Sequence, residues 1–149
     1  FIATPPELAA PIYARGPGRD GCDVLRDIAG ALDRLLAPRG TCLLVADLLG
    51  DERRPLFVAD LEPIARAFTV EVYIDQKLPI DGHVAVMSRI LARENPALDP
   101  TAIAARTREL LVDELGARFV YLTVIRIRRA MPGLLVLDRQ RVHAPPSRT

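Results

Sequence analysis

Thr41-Cys42-Leu43-Leu44-Val45-Ala46-Asp47-Leu48-Leu49 is the stretch that decides the fold. It is a nearly continuous apolar run without the alternation of a strand that has one wet face. Such a run is typical of a strand buried on both faces of a parallel sheet. Asp47 is the anomaly, because burying an unpaired carboxylate is costly. Either Asp47 meets a partner or lies near a site at the carboxyl end of the strand, or the strand ends early and Asp47 is a cap or a surface residue.

The segments on either side of this strand alternate between helical and strand patterns. In chain order, the predicted elements are a strand at 1–3, a helix from about 20 to 36, the strand at 41–49, a helix at 55–68, a strand at 69–74, two helices at 81–116, a long strand at 119–128 and a short strand at 134–137. Asp81 and Asp99 are predicted to cap the two later helices, and Gly116 to end the second of them. This order predicts an α/β fold with a mostly parallel sheet flanked by helices.

The composition bounds the class of protein. A chain of 149 residues is one domain's worth, and 50% hydrophobic residues suffice for a sizeable core. A net charge of +1 does not indicate a nucleic-acid or membrane surface. Two cysteines imply no disulfide framework, and no apolar run reaches the ~18 residues of a membrane-spanning helix. We therefore expect a soluble, cytoplasmic domain that does not contact a membrane.

The first nine residues, Phe-Ile-Ala-Thr-Pro-Pro-Glu-Leu-Ala, form the second informative stretch. The apolar start is predicted to be a strand, and Pro5 and Pro6 cannot extend its hydrogen-bond ladder. The result is a rigid loop at the carboxyl end of a strand, which is where open α/β sheets bind their ligands. Two interpretations stay open for the loop, a ligand site or a simple strand-terminating turn. Glu7 is either a catalytic residue, acting as a base, or an ordinary first-turn acid stabilised by a helix dipole.

The two histidines, His83 and His143, have no ligand-spaced partners, so no metal site is predicted. His83 lies at the start of a predicted helix, where we expect it to be solvated rather than catalytic. The arginines near the carboxyl terminus either contact an acidic substrate or RNA phosphates, or protect a strand edge by their charge. These arginines are Arg126, Arg128, Arg129, Arg139 and Arg141.

Three motifs in fixed order carry a resemblance to a known family. They are the Thr4-Pro5-Pro6 loop, the segment Asp20-Gly21-Cys22-Asp23 that leads into a helix, and the turn Leu36-Ala37-Pro38-Arg39-Gly40 that leads into a strand. Together they resemble the substrate half of a class I S-adenosylmethionine-dependent methyltransferase. The most similar branch methylates glutamine amides or adenine amino groups, and its loop is Asn-Pro-Pro-aromatic. The resemblance covers about residues 1–75 and returns at 119–129.

The resemblance implies a partial Rossmann-like methyltransferase sheet. Its strands at 1–3, 41–49, 119–128 and 69–74 would lie side by side in that order, with 119–128 antiparallel. Residues 1–137 would be the C-terminal half of the domain, with a helical insertion at about 81–117, and 138–149 a polar tail. The insertion would be a lid or substrate-selecting wall, or else a dimer interface or scaffold.

The resemblance also implies a function, methyl transfer from S-adenosylmethionine to a nitrogen or oxygen nucleophile. Thr4, Pro5 and Pro6 would orient the acceptor, and Glu7 would deprotonate or hold it. Thr4 replaces the Asn or Asp of the family and Glu7 replaces its aromatic residue, so an amide or adenine acceptor is not implied. The alternative is a non-catalytic, methyltransferase-like interaction or scaffold subunit.

The cofactor would be bound mainly by residues other than these. No Gly-x-Gly-x-Gly follows a strand in this sequence. The resemblance therefore implies that an N-terminal half of the same chain, or a partner subunit, supplies the cofactor site. We expect residues 1–149 alone to bind the cofactor poorly, to expose one apolar sheet edge, and to associate with themselves, for example as a homodimer, or to aggregate.

Overall fold

The computed structural model describes residues 3–10 and 18–139. The helices are α1 (Asp23–Leu35), α2 (Val58–Leu61), α3 (Ile80–Glu94) and α4 (Pro100–Arg108), and the strands are β1 (Thr41–Gly50), β2 (Thr69–Pro79), β3 (Phe119–Arg128) and β4 (Gly133–Asp138). A 3₁₀ turn at Ile64–Arg66 follows α2, and a π-helical segment at Glu109–Glu114 continues α4. The protein is thus a mixed α/β fold with a four-stranded sheet flanked by helices.

Several predicted boundaries agree with these elements. Asp99 caps α4 by accepting a hydrogen bond from the Thr101 N–H at 3.1 Å, and Gly116, at φ +70°, follows the end of the π-helical segment. The predicted cap at Asp81 is wrong, because α3 begins after Pro79 with no side-chain cap. The single helix predicted at 55–68 is also wrong. Pro63 has no N–H to donate and separates α2 from the 3₁₀ turn.

The sheet has the strand order β1–β3–β2–β4. β3 runs antiparallel to both of its neighbours, and among the described strands only β2 and β4 form a parallel pair. The order β1–β3–β2 with an antiparallel β3 is the one that the resemblance implies. The prediction of a mostly parallel sheet is wrong, since two of the three pairings are antiparallel. Of the strand predicted at 1–3, Phe1 and Ile2 lie outside the described residues and Ala3 belongs to no strand.

The direction of β3 follows from the path of the two helices that precede it. α3 and α4 leave the sheet at Pro79, and the chain returns at Phe119, which pairs with Pro79. The Ile80 N–H donates to the Arg118 carbonyl at 3.0 Å and closes this crossing. The helical pair begins at the carboxyl end of β2 and returns the chain beside that same end. β3 therefore has to run back along β2 in the opposite direction.

The last strand extends the sheet beyond the sequence prediction. The short strand predicted at 134–137 is present as β4, which also includes Gly133 and Asp138. The turn after β3 passes Thr69, whose hydroxyl donates to the Met131 carbonyl at 2.5 Å. This crossing carries the chain to the far side of β2 and makes the β2–β4 pair parallel. Residues 140–149 lie outside the described residues.

One face of the sheet, the covered face, packs against α1, α2 and the 3₁₀ turn. Alternate residues of a strand point to opposite faces, and the register brings the inner residues of three strands together. They form one core cluster with Leu32 of α1, Leu61 of α2 and nearby aromatic rings. The strand residues of this cluster are Ala46, Leu48, Val70, Val72, Ile125 and Ile127.

The opposite face, which we call the open face, is covered by residues 3–10 and 18–139 only at the carboxyl ends of β1 and β2. There Leu49 and Val120 pack against Ile80, Val84 and the π-helical segment. Further along, Leu43 is 63% exposed and Val45 82% exposed. The prediction that β1 is buried on both faces is therefore wrong. A continuous apolar run indicates that the side chains on both faces of the strand are apolar. It does not indicate that helices cover both faces.

Gly50 is required at the end of β1. A β-carbon there would overlap the Tyr121 ring and the Arg54 carbonyl oxygen. We expect Gly50→Ala to lower the free energy of unfolding by about 1–3 kcal/mol, as overpacked sites do. Gly30, inside α1, has open space around it, so Gly30→Ala is the matched control and should raise the free energy of unfolding by about 0.5–1 kcal/mol. Urea denaturation measures both, and equal effects of the two variants would contradict the overlap at Gly50.

Candidate functional site

The Thr-Pro-Pro-Glu loop lies beside the carboxyl ends of β1 and β2. Ala3 is buried in the same cluster as Leu49, near the end of β1, and Ile80, directly after β2. Pro5 is buried and its carbonyl accepts the Leu8 N–H at 3.2 Å, which closes a tight turn. Pro6 and Glu7 are exposed. The four predicted site residues are therefore together in one loop, beside the strand ends at which the helical pair begins.

The helical pair α3 and α4 holds this loop through the backbone of the loop. The Ala9 N–H donates to Asn95 Oδ1 at 3.0 Å, and Asn95 Nδ2 donates to the Ala9 carbonyl at 2.8 Å. The same Nδ2 also donates to the Leu91 carbonyl at 2.7 Å, at the end of α3. Leu8 packs against Leu91 and Ile103 in a small apolar cluster. One side-chain amide thus forms the pair of hydrogen bonds that a neighbouring strand would form, and it fixes the loop on the helices.

Glu7 makes an ion pair rather than facing an open site. Its carboxylate lies 2.5 Å from Arg106 Nε, and Arg106 also contacts Glu109 at 3.2 Å and Glu114 at 2.5 Å. The pKa of Glu7 is lowered by a hydrogen bond from its own backbone N–H and by Arg106. A carboxylate held in its charged form is a poor general base. Of the two roles that the sequence suggested for Glu7, the contacts favour holding over proton abstraction.

Thr4 is the buried polar member of the loop. Its side chain is nearly inaccessible, at 9% exposure, and Oγ1 has no hydrogen-bond partner within the described ranges. A buried hydroxyl without a partner costs about 1–3 kcal/mol. The Thr4 hydroxyl is therefore available for a hydrogen bond to a ligand, in which it can be the donor or the acceptor.

A second pair of candidate residues lies on the open face. Asp47 points from β1 into a cavity of about 420 Å³, and His83, in the first turn of α3, lines the same cavity. His83 is half-buried, and its Nε2 is buried without a partner in the part of the chain that the structure describes. Burial lowers the pKa of His83, and the Asp47 carboxylate only partly opposes this shift. The imidazole is therefore neutral at pH 7, and the expectation of a solvated His83 is wrong.

The sequence left open whether the strand that contains Asp47 ends early, and the structure decides this point. β1 continues three residues past it to Gly50, so the strand does not end early. The carboxylate is exposed on the open face, and among residues 3–10 and 18–139 it forms no hydrogen bond or ion pair. It lies near the carboxyl end of the strand, but on the apolar face rather than in the Thr-Pro-Pro-Glu loop.

A larger cavity of about 640 Å³ adjoins the first and shares Asp47 and Leu122 with it. Together they form a groove along the open face, from His83 at one end to Arg139 at the other. Arg139 is paired with Asp75 at 2.9 Å. The floor and walls of this open-face groove are apolar, and they include Val45, Tyr73, Leu122, Val124, Leu137 and Val86.

Arg126, one of the carboxyl-terminal arginines, is paired with Glu71. Arg126 makes a two-bond contact with the nearly buried Glu71, at 2.5 and 2.9 Å, and stacks 5.7 Å from the centre of the Tyr73 ring. This pair holds the pKa of Glu71 below its usual range. Arg128 lies 3.8 Å from the same carboxylate.

Arg129 binds the end of α1, where it donates to the Leu36 carbonyl at 3.1 Å and the Asp33 carbonyl at 2.8 Å. Arg141 lies outside the described residues. The described members of the run are thus engaged within the fold. Arg126 and Arg128 lie on β3, which is paired on both sides, so the predicted protection of a strand edge is wrong for these two residues. Because the described arginines already contact carboxylates or carbonyls of the fold, their contacts do not favour a phosphate-binding surface either.

No group of three His, Cys, Asp or Glu side chains is arranged as metal ligands among the described residues. Within the same ranges, no helix is both long enough and apolar enough to cross a membrane. Both cysteines are free thiols, and burial raises the pKa of Cys22 to about 12, which makes it unreactive as a nucleophile at neutral pH.

Comparison with known proteins does not assign the chain to a family. No protein-family model matches the sequence, and no curated protein matches it.

The Asn95 clamp on the loop can be tested by a single atom change. Asn95→Asp keeps the oxygen that accepts from Ala9 but removes the N–H groups that donate to Ala9 and Leu91. We expect the free energy of unfolding to fall by about 1–2 kcal/mol in urea denaturation. Glu94→Gln changes one charge at the neighbouring exposed position and should stay within about 0.5 kcal/mol of the wild type. A loss for Asn95→Asp no larger than that of this control would show that the clamp contributes nothing.

The lowered pKa of His83 predicts a loss of stability in acid. The unfolded chain binds a proton at histidine's ordinary pKa of about 6.5, while the folded chain resists it. Stability is therefore full above that pH and falls as the pH drops towards the lower, folded pKa. We expect urea denaturation between pH 7.5 and 5.5 to show a smaller loss for His83→Gln than for the wild type. His143→Gln removes the other histidine, and a flatter profile for that control instead would contradict the assignment to His83.

Proposed function

We propose that the chain is the acceptor-binding half of a Rossmann-like, S-adenosylmethionine-dependent methyltransferase domain. The observation that carries the proposal is the order β1–β3–β2, with β3 antiparallel between two strands that run in the same direction. This arrangement is unusual for α/β sheets built from simple crossovers, where consecutive strands are parallel. It is also the arrangement that the three sequence motifs imply for this half of the domain.

The Thr-Pro-Pro-Glu loop is the proposed acceptor site. Open α/β sheets bind ligands beside the carboxyl ends of their strands, and the loop packs there through Ala3. In this proposal the Thr4 hydroxyl makes its missing hydrogen bond with the nitrogen or oxygen nucleophile of the acceptor. Pro5 and Pro6 keep the loop rigid, and Glu7 with Arg106 anchors it to α4. Catalysis by such a site consists of positioning the acceptor and excluding water.

The cofactor S-adenosylmethionine supplies the methyl group when it is bound. The residues of this chain do not fit its site, because the sequence has no Gly-x-Gly-x-Gly for its binding loop. We propose that an N-terminal half of the same polypeptide, or a partner subunit that carries such a half, provides those contacts. The compartment proposed for this activity is the cytoplasm.

The second candidate function is a non-catalytic, methyltransferase-like interaction or scaffold subunit. The observation that favours it is the ion pair of Glu7 with Arg106, which occupies the carboxylate at the position where the family has an aromatic residue. A loop clamped from both sides by Asn95 and Arg106 is also suited to a fixed recognition surface.

A test of the catalytic proposal uses the natural polypeptide that contains residues 1–149. It should bind S-adenosylmethionine in calorimetry and transfer its labelled methyl group to an acceptor present in a cell extract. Thr4→Val removes the hydroxyl at constant shape, so we expect unchanged cofactor affinity and a methyl-transfer rate about 10-fold or more lower. Thr101→Val, at an exposed position of α4, is the matched control and should leave both quantities unchanged.

The outcomes separate the two candidate functions. A polypeptide that does not bind S-adenosylmethionine cannot be the proposed enzyme, and the scaffold function would take its place. Binding and transfer that are indifferent to Thr4→Val would keep the enzyme but remove Thr4 from the acceptor site.

A further inference from the structure

The open-face groove is a second candidate site, separate from the Thr-Pro-Pro-Glu loop. Its adjoining cavities, of about 640 and 420 Å³, are within the size range of small-molecule sites. Apolar side chains from all four strands and α3 form most of its lining, with Val45, Tyr73, Leu122, Leu137 and Val86 as examples. Large exposed apolar surfaces on a folded domain mark binding sites.

The charges in the groove are few and unbalanced. Asp75 and Arg139 neutralise each other at one end. At the other end Asp47 carries a charge with no counter-ion within the described ranges. His83, the remaining titratable group there, is neutral at pH 7 because burial lowers its pKa. The groove therefore presents one net negative charge on an apolar floor.

We propose that the open-face groove binds a small organic cation, a molecule with an aliphatic or aromatic body and one protonated amino group, with the amino group on the Asp47 carboxylate. The body lies along Val45, Leu122 and Val124 towards Tyr73. A positively charged group satisfies the unpaired carboxylate, while an acid would be repelled by it and a plain hydrocarbon would leave it unpaired. This site does not depend on the proposed methyl transfer, because binding in the groove involves no residue of the Thr-Pro-Pro-Glu loop.

The test uses three probes with the same eight-carbon body, namely 1-aminooctane, 1-octanol and octanoate. Each is titrated into the protein at pH 7 and followed by NMR through the methyl groups of Val45, Leu122 and Val124. We expect all three methyl sets to shift with the amine, the amine to bind about 10-fold more tightly than the alcohol, and octanoate to bind most weakly.

Two variants locate the head and the body of the probe. Asp47→Asn keeps the shape and removes the charge, so the affinity for the amine should fall about 10-fold while that for the alcohol stays the same. Val45→Ser, at a side chain that is 82% exposed, should weaken the amine and the alcohol by the same factor. Asp27→Asn is the matched control on an exposed face of α1 and should change neither affinity.

Three results would overturn the proposal. The first is equal binding of amine and alcohol, and the second is an amine-to-alcohol ratio that Asp47→Asn leaves unchanged. The third is a dimer in sedimentation velocity that buries Val45 and Leu122 and excludes the probes, because the occupant of the groove would then be a second copy of the chain.

Discussion

The pairing of β3 with two strands at once is the interaction on which the rest of the structure depends. Over ten residues, from Phe119 to Arg128, β3 forms a ladder with β1 on one side and with β2 on the other. The Thr123 hydroxyl adds a bond to the Ala46 carbonyl at 2.8 Å, inside the covered face. Because β3 lies between β1 and β2 in the sheet, the covered core of Val72, Ile125 and Leu48 exists only when β3 is in place.

β3 reaches that position because the helical pair α3 and α4 returns the chain to the carboxyl end of β2, where the pair began. The same pair then serves the site, since α3 ends in Asn95 and α4 carries Arg106, and both residues hold the amino-terminal loop. Asn95 and Ala9 are 86 positions apart in the chain. One helical pair thus sets the direction of the central strand, covers the carboxyl ends of β1 and β2, and positions the Thr-Pro-Pro-Glu loop.

Local features of the fold could be predicted because their causes are local. The helix near residues 22–36, the cap at Asp99 and the strand at 119–128 each follow from the residues within one element. The break at Pro63 was missed because the apolar stripe continues across it, although proline's lack of an N–H is a signal that was there to be used. The buried Nε2 of His83 had no signal, since the first turn of a helix is usually solvated and only the packing of α3 on the sheet buries it.

The sequence by itself determined most of the strands and helices, and its motifs implied the order β1–β3–β2 and the grouping of Thr4, Pro5, Pro6 and Glu7 in one loop. Only the tertiary structure decided which face of β1 is covered, that Glu7 is paired with Arg106, and that Asp47 and His83 share a cavity. The physical reason is that a pattern of apolar and polar residues records what each side chain would prefer to contact. Which neighbour provides that contact depends on segments that are distant in the chain.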